Sequence, residues 1–280
     1  MINPFFIIGN PRSGTTLLRL MLNNHPQITV PPECGFALWL SEKYQNIKVY
    51  NDYVYSEFAK DVFNSKKFET WGVDESLILE TIIDKNPKDY VALVNCIYCS
   101  YSKVLKKKSS CFGDKNNYYI SYLESLTSTF PKSKILFIIR DGRDVVCSYK
   151  NLNKKNIESK YKPQLPVMIE DIAREWTINL EQVLKFINHN SLVIRYEDIV
   201  KTPSVCLSKI CQFLGVKYSD AMLLFYVNND EPEDFLQWKE KTTQKLDDCS
   251  VDRYKEELTL KEQEIFIDLA GLMLKRFGYL

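Results

Sequence analysis

Short unbroken apolar runs alternate along this chain with longer stretches in which apolar residues recur every three or four positions. The clearest runs are Phe5-Phe6-Ile7-Ile8, Ile135-Leu136-Phe137-Ile138-Ile139 and Leu192-Val193-Ile194, with shorter ones at 28–30 and 109–115. Runs of this length, bounded by turn residues, read as strands buried on both faces. The periodic stretches predict helices over 15–24, 36–44, 52–63, 75–84, 88–105 and 118–130. Further helices are predicted from about 142, over 165–188, after Pro203, and over 261–276. Breaks fall at Lys66-Lys67, Trp71-Gly72 and Asn86-Pro87. Strands alternating with helices imply an α/β fold of three layers, a central parallel sheet flanked by helices. The 280 residues are expected to form one domain, 1–280. The helical stretch within 36–110 is an insertion after the first strand, expected to cover the acceptor side of any site. Its aromatics Trp39, Tyr44, Tyr50, Tyr53, Tyr55 and Trp71 can line a pocket or simply fill core.

The first strand breaks into Gly9-Asn10-Pro11-Arg12-Ser13-Gly14-Thr15-Thr16. Two glycines with four residues between them, followed by hydroxyl residues and a helix, match a P-loop-like cradle for phosphate. Glycines let backbone N–H groups turn toward an anion, and the following helix adds its positive end. The lysine of a nucleoside-triphosphate site is replaced by Thr15, and the cation sits earlier, at Arg12. The loop is therefore suited to phosphate without being suited to the usual nucleotide chemistry.

The second signal follows the 135–139 run: Arg140-Asp141-Gly142-Arg143, then Ser148 two helical turns on. A strand-end arginine with a helix hydroxyl on the same side is a grip for a phosphate dianion. Asp141 could be a magnesium-binding acid, but flanking Arg140 and Arg143 make a helix cap the better reading. Arg143 is expected on the helix surface or in an ion pair. Pro31-Pro32 stiffens the approach to Glu33, which from the residues alone could equally be a general base or the cap of a helix starting near Gly35. Asp114-Lys115 closes a short strand, where an open α/β sheet places site residues. Tyr196, at the end of the 191–196 strand, is a core aromatic or a site residue. His25 reads as a helix-terminal turn residue.

Charge narrows the field. Lys and Arg number 37 against 36 Asp and Glu, a net charge of +1, which gives no general attraction to nucleic acid or membrane. No stretch is apolar enough to span a bilayer, and a strand beginning near residue 5 leaves no room for a signal peptide, so a cytoplasmic setting is expected. The 8 cysteines are scattered and read as buried thiols, Cys96 and Cys99 included; with 2 histidines no metal site is expected. Residues 150–162, rich in lysine, read as a solvated loop or an anion-attracting lid. Residues 230–234 read as an acidic surface loop, and 239–252 as a flexible flap.

The run Pro11-Arg12-Ser13-Gly14-Thr15-Thr16-Leu17-Leu18 resembles the phosphosulfate loop of sulfotransferases that use 3′-phosphoadenosine 5′-phosphosulfate (PAPS), most of all the tyrosylprotein-type and bacterial carbohydrate-type branch. Arg140-Asp141-Gly142-Arg143-Asp144 with Ser148 is similar to the family's 3′-phosphate segment. The resemblance implies a PAPS-dependent sulfotransferase that needs no metal and releases adenosine 3′,5′-bisphosphate. It implies Arg12, Ser13, Gly14, Thr15 and Thr16 on the phosphosulfate, Arg140 and Ser148 on the 3′-phosphate, and Tyr196 near adenine. It implies Glu33 as base, Lys115 on the bridging oxygen, and Arg253, beside Tyr254, on the cofactor, with Ser250, Lys241 and Lys245 as weaker candidates. Where tyrosylprotein-type enzymes carry a second acid just before the base, this chain has Pro32. The acceptor hydroxyl could belong to a glycan, a metabolite or a tyrosine. The rival classes are a P-loop phosphotransferase and a non-catalytic nucleotide-binding module.

Overall fold

A computed structural model describes residues 3–280. Five strands, β1 (Phe5–Gly9), β2 (Ile28–Thr29), β3 (Cys111–Lys115), β4 (Ile135–Ile139) and β5 (Ser191–Arg195), form one sheet in the order β2-β3-β1-β4-β5. Every pairing is parallel: Phe6 stands opposite Asp114 on one side and Ile135 on the other, and Ile138 stands opposite Ile194. Alternate side chains explain the unbroken apolar runs. Phe6, Ile8, Ile135 and Phe137 pack into one cluster, and Phe5, Ile7, Leu136 and Ile138 into another on the opposite face.

The first face is covered by the helices of the insertion. These are α2 (Phe36–Trp39), α3 (Ser41–Tyr44), α4 (Asp52–Phe63), α5 (Glu75–Lys85) and α6 (Tyr90–Val104), followed by α7 (Leu123–Thr129). Tyr44, Tyr50, Tyr55 and Trp71 are core residues there, while Trp39 and Tyr53 are exposed. The second face is covered by α1 (Thr15–Asn23), α10 (Tyr196–Lys201) and α11 (Pro203–Leu214). A third cluster joins α8 (Gly142–Lys154), α9 (Ile169–Lys185) and α14 (Leu260–Arg276), with Trp176 packed on Phe266 at 5.7 Å. The short α12 (Glu233–Leu236) and α13 (Tyr254–Glu257) lie in the C-terminal third.

Several boundaries differ from the sequence reading. The helix expected over 118–130 is a 3-10 turn, Asn117–Tyr122, followed by α7. The polar tract 150–162 is not all loop: α8 runs to Lys154, and Lys150 pairs with Glu262 at 2.7 Å. Tyr196 opens α10 instead of closing β5. Of residues 230–234, expected as an acidic surface loop, Glu233 and Asp234 are exposed in α12 but Glu231 is buried, at 6% exposed. Its carboxylate accepts from Arg19 at 2.8 Å, which also donates to Asp230 at 2.9 Å. Arg19 lies within α1 among buried leucines, and a buried guanidinium without carboxylates would carry a large desolvation cost.

The chain leaves β1 toward the β2-β3 side and later crosses to β4 on the other side. The carboxyl ends of β1, β3 and β4 therefore meet at a topological switch point, where open α/β sheets hold ligands. Gly9 ends β1, Lys115 ends β3 and Arg140 follows β4.

Candidate active site

The loop after β1 is braced from below. Buried Asn10 donates to the Tyr149 hydroxyl at 3.3 Å and accepts from Asn179 at 2.6 Å. Gly14 has φ 94°, left-handed backbone that favours glycine, and a Cβ there would stand 2.5 Å from the Tyr196 ring. Gly14 occupies the cap position of α1, which has no side-chain cap and no acidic residue in its first turn. The helix thus presents its first N–H groups and positive end to the space above the loop. The Ser13 hydroxyl, buried there, has no hydrogen-bond partner among the described residues.

Two guanidiniums meet at this loop. Arg12 Nε donates to Ser148 Oγ at 3.0 Å. Arg140 donates through one Nη to the Arg12 carbonyl at 3.1 Å and through the other to the Ser250 carbonyl, and its guanidinium lies 4.5 Å from the centroid of Tyr196. Its Nε is buried without a partner. Burial and then the charge of Arg140 push the Arg12 pKa down to about 10. Two cations held together with polar atoms unspent fit a polyanion, and an adenosine carrying phosphates at both ends supplies one.

Glu33 stands across the site. Its carboxylate accepts from Lys115 Nζ at 2.7 Å and from Lys67. Burial acts to raise its pKa, but Lys115, then Lys67 and Lys239, overcome this and hold it well below the usual carboxylate range. The helix-cap alternative is not realised, since α2 starts at Phe36 behind Gly35 and has no side-chain cap. Neighbouring Asp114 faces away into the core, where the hydroxyls of Tyr98 and Tyr119 donate to it at 2.8 and 2.9 Å; burial pushes its pKa up to about 7. Asp141 caps α8 by accepting from the Arg143 N–H at 2.9 Å. Arg143 is not on the surface: it is buried, pairs with Asp141 at 2.7 Å, and stacks on Tyr254.

One cavity of about 700 Å³ contains Arg12, Gly14, Thr15, Thr16, Glu33, Lys115, Arg140, Ser148, Tyr196 and Arg253 on its walls. The weaker candidates Lys241, Lys245 and Ser250 line it too, with Lys241 donating to Ser250 Oγ at 2.8 Å. Arg253 reaches the cavity, but its guanidinium is engaged by Glu257 at 2.6 and 2.9 Å. The tract 239–252 is folded over the cavity with Thr242 and Ser250 buried. His25 is structural: it accepts from the Gln27 N–H at 3.0 Å and its other ring nitrogen meets the Lys217 carbonyl at 2.7 Å. The sequence reading missed Lys67, Lys239 and the aromatics Tyr161, Phe235 and Trp238 on the cavity wall. The expected insertion aromatics do not line it. Arg19, a cation inside an otherwise apolar helix, was the available sign that 230–231 is drawn inward.

The parallel sheet, the glycine turn into an uncapped helix and the paired guanidiniums define an anion-binding α/β protein of P-loop-like architecture. The model of the sulfotransferase family matches residues 4–220, and the chain belongs to that family. It is 26% identical over 222 residues to protein-tyrosine sulfotransferase 2 of Gallus gallus, a match covering 78% of this chain and 52% of that protein. It is 24% identical over 296 residues to nodulation protein NoeE of Sinorhizobium fredii, covering 98% of this chain and 65% of that one. The chain thus spans between half and two-thirds of the length of these relatives. Among solved structures, the sulfotransferase domain of the curacin biosynthetic pathway superimposes with a TM-score of 0.61 at 20% identity, covering 96% and 98% of the two chains. Mouse sulfotransferase SULT7A1, solved with PAP, gives 0.52 at 14% identity, covering 98% and 89%. These likenesses concern the fold. No helix among the described residues is long and apolar enough to cross a membrane.

Proposed function

We propose that the chain moves a sulfuryl group from PAPS to an acceptor hydroxyl of a glycan, a small metabolite or a tyrosine, with Glu33 as the general base. The observation that carries this reading is that both arginines and the Glu33–Lys115 pair face one cavity. Arg12, Ser13, Gly14, Thr15 and Thr16 hold the 5′ end of the donor, Arg140 and Ser148 hold its 3′-phosphate, and Tyr196 lies against both grips.

The donor supplies an activated sulfuryl group. Glu33, ionised throughout the neutral range, takes the acceptor's proton as the acceptor oxygen bonds to sulfur. The bond from sulfur to the bridging oxygen breaks, and its electron pair leaves on the phosphate of adenosine 3′,5′-bisphosphate. Lys115 and Arg12 offset the charge that develops there. Lys115 is positioned for this, with its side chain 3% exposed and its Nζ 2.7 Å from the Glu33 carboxylate.

Calorimetric titration with adenosine 3′,5′-bisphosphate and with ATP–magnesium separates this reading from a phosphotransferase. Preference for the bisphosphate supports sulfuryl transfer, and preference for ATP–magnesium overturns it. Transfer of labelled sulfate across a panel of hydroxyl acceptors then separates an enzyme from a binding module.

A further inference from the structure

We infer that the acceptor carries its own anionic group beside the reacting hydroxyl, and that Lys67 is the residue that receives it and sets acceptor specificity. The inference rests on the sulfuryl-transfer reading and adds a charge to the acceptor that reading leaves open.

Three lysines converge on Glu33, and two of them have a second use. Lys115 faces the leaving oxygen. Lys239 is paired with buried Glu231. Lys67 has a single carboxylate partner, Glu33 itself. When Glu33 takes the acceptor's proton it becomes neutral, and both of its lysines lose their counter-charge. Lys115 recovers one from the negative charge arriving on the departing bisphosphate. Lys67 recovers one only if the acceptor provides it. An ammonium that is 20% exposed and stripped of its partner would oppose proton transfer to Glu33, because that transfer removes the charge holding it. A carboxylate, phosphate or sulfate on the acceptor removes this opposition.

Placement supports the same assignment. Lys67 lies in the turn after α4 with φ 74°, a left-handed backbone unusual for lysine, and its side chain lines the cavity. The turn is tied to the base's own segment, because the Cys34 thiol donates to the Lys66 carbonyl at 3.5 Å. The ammonium lies 5.6 Å from the Phe235 ring and 5.8 Å from the Tyr161 ring, so the space beside Glu33 has aromatic walls and a cationic end. Among the described residues the cavity lining holds ten lysines and arginines against three carboxylates, in a chain of net charge +1. Lys239 and Arg253 are already paired with Glu231 and Glu257, so the donor's phosphates and sulfate, about four negative charges at neutral pH, leave a small cationic excess in the lining.

The test uses the whole chain saturated with adenosine 3′,5′-bisphosphate and two matched probe pairs. These are 4-hydroxyphenylacetate against 4-hydroxyphenylacetamide, and glucose 6-phosphate against glucose. In at least one pair the charged member should bind roughly tenfold tighter or more, the size of one charge-assisted hydrogen bond. That preference should vanish in Lys67→Met and return in Lys67→Arg, with bisphosphate affinity unchanged in both variants. The inference is overturned if neither pair discriminates, or if the preference survives Lys67→Met. Failure of the bisphosphate to bind the wild-type chain would instead bring down the sulfuryl-transfer reading and this inference with it.

Discussion

Replacing Arg140 by lysine keeps the charge and removes the fork, so it isolates what the guanidinium geometry contributes. Arg140 uses its two Nη groups on the carbonyls of Arg12 and Ser250, stacks on Tyr196, and has its Nε unspent. A lysine cannot bridge the two carbonyls and still present a donor to a phosphate. Loss of one charge-assisted hydrogen bond to phosphate should weaken binding by about 1.5–3 kcal/mol, roughly tenfold to a hundredfold in Kd. The folded chain should lose about 1 kcal/mol in urea denaturation for the Ser250 carbonyl, which is buried, and less for the Arg12 carbonyl, which is only partly so. The assay is a ligand cycle: calorimetric titration of wild type and Arg140→Lys with adenosine 3′,5′-bisphosphate and with adenosine 5′-phosphate. If Arg140 holds the 3′-phosphate, the first ligand loses the full factor and the second is nearly unaffected. Arg12→Lys should instead weaken both ligands by a similar factor, since both carry the 5′-phosphate at the end Arg12 serves. Equal weakening of both ligands by Arg140→Lys would refute the division of the cavity into a 3′ and a 5′ grip.

Four further outcomes are expected. Glu33→Gln should lower turnover about 10²–10⁴-fold in a labelled-sulfate assay while leaving bisphosphate affinity intact, and undiminished turnover would remove the base assignment. Asp114, with its pKa raised by burial to about 7, binds a proton in the folded chain that it has lost in the unfolded one between about pH 4 and 7. Wild-type stability should therefore fall as pH rises through that window, and Asp114→Asn should be the more stable form at pH 8 by a few kcal/mol in urea denaturation, the opposite sign refuting it. Lys67→Gly should be about 1 kcal/mol more stable than Lys67→Ala, because both lack the ammonium and only glycine relieves the positive φ; equal midpoints would contradict this. Glu231→Gln removes a buried carboxylate from both Arg19 and Lys239 and should cost about 3–5 kcal/mol, whereas a loss under about 1 kcal/mol would show that Asp230 alone compensates Arg19 and that Lys239 turns to water.

What could be read from the sequence was whatever a local rule governs. The β1 and β4 runs are apolar throughout because both faces of those strands are covered, so their limits are visible at the residue level. The glycine loop and Arg140 belong to segments whose chemistry is contiguous in the chain. Lys67 was not legible, because a lysine pair between two helices is also what a solvated break looks like. Its direction is set by its left-handed backbone and by how the insertion lies over the sheet. The acids at 230–231 were misplaced for a related reason. A polar tract reads as surface until a buried cation is found for it, and that cation, Arg19, is more than two hundred residues away in sequence. Arg253 shows the limit from the other side: its neighbourhood suits a phosphate contact, yet its guanidinium is held by Glu257 one helical turn on.

The C-terminal tract gains a role from its two anchors. At one end Asp230 and Glu231 are fixed by Arg19, on the helix that follows the glycine loop. At the other, the Ser250 carbonyl accepts from Arg140, and the N–H groups of Asp252 and Tyr254 donate to Asp144 at 2.9 and 3.0 Å. The chain between carries Trp238, Lys239, Lys241 and Lys245 across the cavity. The first anchor sits on the helix that follows the glycine loop and the second on Arg140 and α8, so displacing either end of the tract disturbs an element that carries cavity-lining residues. Burial raises the Asp144 pKa to about 6. If the proposed 3′ grip at Arg140 holds, protonation of Asp144 as pH falls through about 6 should loosen this end of the tract and weaken bisphosphate binding in calorimetric titration, and equal affinity at pH 5 and pH 8 would refute that coupling.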